Sequence, residues 1–105
     1  MLVPGPMFTI TGLNLSQGFS AAQLVPTTGA FIGKSMGKAY IQTRSQACYF
    51  NMSGETATSD HLSLFVGQSI TVGGPGNAGV LECQKFRAIE AAASATLIVQ
   101  PFYRT

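Results

Sequence analysis

Charge is what this chain has least of. Only 10% of its 105 residues are Asp, Glu, Lys or Arg, against 46% apolar, where a soluble domain usually carries roughly 25% charged residues. A lone monomer with so little charge would be poorly solvated. The expectation is therefore a subunit that buries part of its surface in an assembly, rather than a free-standing β domain. The six cations, Lys34, Lys38, Arg44, Lys85, Arg87 and Arg104, are scattered, and the net charge is only +2. They form no stripe able to track phosphates, so no nucleic-acid partner is expected.

Histidine and cysteine are nearly as scarce. The single histidine, His61, sits beside Asp60 in a polar stretch with no nucleophile motif near it, which favours a solvated loop residue over a triad member. Glu55, Asp60, Glu82 and Glu90 fall in four different segments and read as solubilising groups rather than a hydrolytic pair. Cys48 and Cys83 are too few for a disulfide framework; both are expected as buried thiols in strands. Ligands for a metal are lacking, and neither catalytic residues nor a cofactor is expected.

The glycine-rich stretch Gly73–Gly79 has no following Gly-Lys-Ser/Thr and no expected helix after it, so it reads as a loop rather than a phosphate cradle. Gly33-Lys34-Ser35 lacks the upstream glycine at the required spacing. Asn14 and Asn51 fit the glycosylation sequon, but the start shows no basic, apolar and small-residue progression of a secretory signal. Synthesis and folding in a cytoplasm are expected. No apolar run approaches the length of a membrane span, and no membrane partner is expected.

Long segments of helical period are missing as well. What is present is a series of short alternating runs with turn signals every eight to twelve residues. They are Met7–Thr11, Ala21–Val25, Lys38–Thr43, Ala47–Met52, Ser69–Val72, Lys85–Ile89 and Thr96–Tyr103. Lys38–Thr43 and Ala47–Met52 stand at hairpin spacing. Ser53–His61 is the best exposed loop, Leu62–Phe65 a short turn, and Ala91–Ala95 a connection too short for an independent helix. This pattern predicts an all-β, single-domain β-sandwich, with an eight-stranded jelly roll as the specific architecture.

Residues 7–105 form the expected domain. Met1–Pro6, with two prolines and a glycine, is an extended arm whose Met1, Leu2 and Val3 need cover from this domain or a neighbour. In the last strand Leu97 and Val99 share one face while Ile98, Gln100 and Phe102 share the other, so both faces carry apolar groups. Pro101 suggests an edge or bulged position. Met1, Leu2, Val3, Ile98, Phe102 and Tyr103 are accordingly the candidate partner contacts. Tyr40, Tyr49, Phe50, Phe102 and Tyr103 would be the aromatic set for a secondary sugar platform.

Several segments resemble a family of small bacteriophage and prophage virion proteins. They are Leu24-Val25-Pro26-Thr27-Thr28-Gly29-Ala30, Ala39-Tyr40-Ile41-Gln42, Leu64-Phe65-Val66-Gly67-Gln68-Ser69-Ile70, Phe86-Arg87-Ala88-Ile89-Glu90, Ala93-Ser94-Ala95-Thr96-Leu97-Ile98-Val99 and Phe102-Tyr103-Arg104. Together they span about three-quarters of the chain, leaving out the first residues to about Phe19. Where that family often carries arginines and an Asp-Gly turn with a proline soon after, this chain has Tyr49-Phe50-Asn51-Met52-Ser53-Gly54.

The resemblance implies a capsid decoration, or cement, protein of jelly-roll type on the virion surface. Its partner would be the major capsid protein, and it would act as a dimer or trimer. Alternatives are another virion part, such as a head-fibre base, tail or baseplate protein, or a carbohydrate-binding attachment module.

Overall fold

Alternation of side chains decides where this chain buries itself. Along β8 (Thr96–Arg104) every second residue, Leu97, Val99, Pro101 and Tyr103, is buried, and those between are half-exposed. β3 (Met36–Arg44) follows the same rule, with Ala39, Ile41 and Thr43 inward. These two nine-residue strands pair antiparallel and form the spine of the molecule. The computed structural model describes residues 1–105. Around the spine lie β1 (Leu2–Pro4), β2 (Phe8–Ile10), α1 (Ala21–Leu24), β4 (Cys48–Asn51), β5 (Leu62–Leu64), β6 (Ser69–Gly73), α2 (Asn77–Lys85) and β7 (Arg87–Glu90).

The strands form two antiparallel sheets. The larger runs β1-β8-β3-β6, with β2 continuing β1 along the same edge of β8; the smaller runs β5-β4-β7. Beyond β7 the second sheet is extended only by a bridge, Gln17 to Ala88. From β3 onward the chain changes sheet at every step except β4 to β5, and between β2 and β3 it visits the smaller sheet only at the Gln17 bridge. With the Gln17 bridge filling the second of eight positions, this is the jelly-roll route. The expected all-β single-domain sandwich is thus what the chain forms. Its core is one cluster that takes Ala39, Ile41, Val72, Leu97 and Val99 from the larger sheet and Cys48, Phe50, Leu64 and Ala88 from the smaller. Phe86 is fully buried at its centre, stacked on Phe19 with ring centroids 5.2 Å apart.

Four local expectations are corrected. The two central strands are not a hairpin: after Arg44 the chain turns at Ser45, with φ of 72°, and β4 enters the other sheet. Thr43 Oγ1 donates to Gln46 O (2.6 Å) and fastens this crossing. Ala21–Leu24 is a helical turn, not a strand, because Ser20 and Gln23 close a reciprocal capping box ahead of it. A helix does follow the glycine-rich stretch, and Cys83 lies on it rather than in a strand. Leu62–Leu64 is a strand rather than a turn.

Helix α2 is too short to stand alone and is held by close approach. A Cβ at Gly79 would come within 2.5 Å of Gly37 O, so only glycine lets the helix settle against the Gly37 and Gly74 end of the paired strands β3 and β6.

Pro101 is not at an edge. It is buried in a strand flanked on both sides, by β3 and by β1 with β2. Its missing N–H is accommodated by a break in the ladder. β1 and β2 differ in register by one residue, Val3 facing Tyr103 but Phe8 facing Val99. In the gap Gly5 N donates to Pro101 O (3.0 Å), and Gly5 O, which proline cannot serve, accepts from Gln100 Nε2 (2.7 Å). The arm residues thus lie on their own domain. Residues 1 and 105 meet, Thr105 N donating to Met1 O at 2.9 Å.

Candidate interaction face

The outer face of the larger sheet is set by the same alternation that fills the core. With Leu97, Val99 and Ile41 inward, Ile98, Gln100, Phe102 and Arg104 of β8 face out beside Lys38, Tyr40, Gln42 and Arg44 of β3. Tyr40 packs edge-on against Phe102, centroids 4.9 Å apart. Lys38 Nζ lies over both rings, 4.7 Å from Tyr40 and 5.2 Å from Phe102. Met7, 60% exposed, and Tyr40, 43% exposed, help line an open depression of about 150 Å³ together with Ile41, Gln42, Arg44, Ser69, Ile98 and Gln100. An apolar and aromatic centre with a polar rim is the composition of a protein contact surface.

The candidate contacts divide across this face. Ile98 and Phe102 lie at its centre. Leu2 faces out at the margin opposite Arg104, and Met1 is 91% exposed at the end of β1. Val3 pairs with Tyr103 and shares its inward side. Tyr103 is a core residue rather than a surface contact: it is 4% exposed, stacks on Phe31 at 5.0 Å, and donates its hydroxyl proton to Gln23 O. Lys38 and Met7 also belong to this face, and alternation along Lys38-Ala39-Tyr40-Ile41-Gln42 points to the first. Of the five aromatics weighed for a sugar platform, only Tyr40 and Phe102 share this face; Phe50 and Tyr103 are buried.

Polar clusters elsewhere fasten loops. His61 Nδ1 accepts from Thr58 N (3.0 Å) and its Nε2 lies 3.2 Å from Glu55, closing the Ser53–His61 loop onto Asn51. No other basic side chain lies within 4.0 Å of a carboxylate, which leaves Lys38, Arg44 and Arg104 without carboxylate partners. Burial pushes the Cys83 thiol up to about 12, with Glu82 adding to the effect. Cys48 is raised by burial too, against the opposing effect of its hydrogen bond with Thr43. Both thiols are free.

No family model, curated protein or solved structure matches this chain.

Proposed function

We propose that the protein is a bacteriophage capsid decoration, or cement, protein that binds the outside of the head and bridges neighbouring major capsid protein subunits. The observation that carries this reading is the outer face of the five-stranded sheet, where Met7, Tyr40, Ile98 and Phe102 form an apolar centre that no part of the chain covers. The segmental resemblance to small phage virion proteins and the jelly-roll route support it.

A cement protein works by burying area on two or more shell subunits at once, which multiplies modest contacts into avidity. A dimer or trimer on a symmetry axis is the form such a subunit takes, because copies meeting there bury equivalent patches.

The test begins with the genes beside this one, where a major capsid gene would supply the partner. Heads assembled from that capsid protein should co-sediment with this protein and lose resistance to heat when it is absent. Heads equally stable without it would overturn the cementing role, and density away from the head lattice in cryo-EM would move the protein to another virion part.

A further inference from the structure

We infer that the outer face of the five-stranded sheet docks on a protein surface whose apolar centre is ringed by carboxylates. The inference rests on the docking role proposed above and specifies the chemistry of the partner. Three cations mark this face: Arg44 at one end of the β3–β8 pair, and Lys38 and Arg104 at the other. No Asp or Glu lies on a strand of this sheet, and the one carboxylate that reaches it, Glu82, accepts from Gly73 N (2.9 Å) at its margin and pairs with none of the three cations. Glu55 and Asp60 are in the loop between β4 and β5, Glu82 is on α2 and Glu90 is on β7.

None of the three cations is in an ion pair, and their hydrogen bonds go to neutral groups, Arg44 Nε to Gln42 Oε1 (3.4 Å) and Arg104 Nη1 to Asn77 Oδ1 (2.6 Å). Lys38 is positioned by the two rings beneath it, so its charge is presented at the edge of the apolar centre without further ordering.

The same charges argue against a second copy as the occupant. Cations stand at both ends of the strip, so stacking two such faces sets like charges together in either orientation, which is costly across an interface. Whatever the occupant, four strand positions at ~4.8 Å and nine residues at ~3.3 Å give a face of roughly 570 Å², short of the ~800 Å² per partner of a standard-size complex. One contact of this face is therefore weak, and charge complementarity contributes a large share of it. A nucleic acid would need cations along the whole strip, and here they flank an apolar middle.

The experiment uses the isotopically labelled full chain and two synthetic hexapeptides, Asp-Leu-Asp-Phe-Asp-Leu and its counterpart with lysine in place of each aspartate. Amide shifts are followed by NMR to about 1 mM peptide, at salt that sets the Debye length near ~30 Å and then ~8 Å. The acidic peptide should shift saturably the amides of Lys38–Arg44 and Ile98–Arg104, with affinity falling at least about fivefold in the higher salt. The lysine peptide should leave them unmoved. The triple variant Lys38→Gln, Arg44→Gln, Arg104→Gln should lose the effect while keeping its unfolding midpoint.

Saturable binding of the lysine peptide, salt-independent binding, shifts centred on Leu62–Val66, or no saturable shift with the acidic peptide would each overturn the inference. So would binding of an oligonucleotide or a neutral oligosaccharide at this face with the acidic peptide silent. The two readings fail separately. Peptide binding without head binding removes the capsid role alone, and head binding that ignores the triple variant removes the carboxylate-ringed partner alone.

Discussion

The two faces of β8 use similar residues for different ends. Leu97, Val99 and Tyr103 point into the core and are nearly inaccessible, while Ile98 and Phe102, one position along, stand half-exposed against Met7 and Tyr40. Hydrophobicity alone does not separate them. What separates them is what lies opposite: the inner set meets a second sheet and Phe86, and the outer set touches only neighbours on its own face, with no second layer over it. An apolar side chain on the inner face therefore holds the fold together, and one on the outer face is available for binding.

The sharpest way to break this comparison is a pair of neighbours. Leu97→Ala should destabilise the domain by about 3 kcal/mol through lost burial and a residual cavity, whereas Ile98→Ala should cost about 1 kcal/mol; urea unfolding reads both. Equal losses would make the outer face a second core.

Alkaline titration probes the interior next. Cys83, Cys48 and Tyr103 all have pKa values raised by burial. A group whose folded value is raised holds its proton more tightly when folded, so its stabilisation is complete below the unfolded value and is lost as pH climbs. For Cys83 that window opens near 9.0 and runs to about 12. Unfolding midpoints should be flat with respect to these groups below it and fall within it. Native Cys83 should also resist thiol reagents until the chain unfolds.

Gly5→Ala is expected to cost about 2 kcal/mol, because the new methyl would lie 2.5 Å from the ring of Tyr103, which is held against Phe31. Hydrogen exchange should then rise first in β1. Smallest in stability is Phe102→Ser, at about 1 kcal/mol. It should nevertheless remove most binding at the outer face; binding that survives in a folded variant would show the face is not the contact.

Much of this was legible from period-two alternation, which is local. It correctly assigned the faces of β8, and it holds along β3. What it could not supply was the partner of each strand. Arg44-Ser45-Gln46 has the length of a hairpin turn, yet Ser45 in a left-handed conformation sends the chain to the other sheet. Pro101 read as an edge because its cure lies far off in sequence, in Gly5 and the slip between β1 and β2. The turn at Ala21–Leu24 did have a local signal, the Ser20 and Gln23 capping pair, and apolar content masked it. Helix α2 buries only Gly79 and Cys83, too thin a stripe to register as helical period. Of the candidate contacts, Tyr103 was misplaced because the residues that cover it, Phe31 and Gln23, come from a distant segment.

The meeting of residues 1 and 105 makes the backbone, in effect, a closed ring. Met1 and Thr105 are bonded to each other, and Leu2 stands opposite Arg104, so opening the ring at a loop elsewhere breaks no strand. A permutant that joins Thr105 to Met1 and is cut instead between Glu55 and Asp60, in a loop outside every strand, retains each rung of both sheets. Its new ends would emerge from the opposite sheet, leaving the face of Tyr40 and Phe102 clear of any fused cargo.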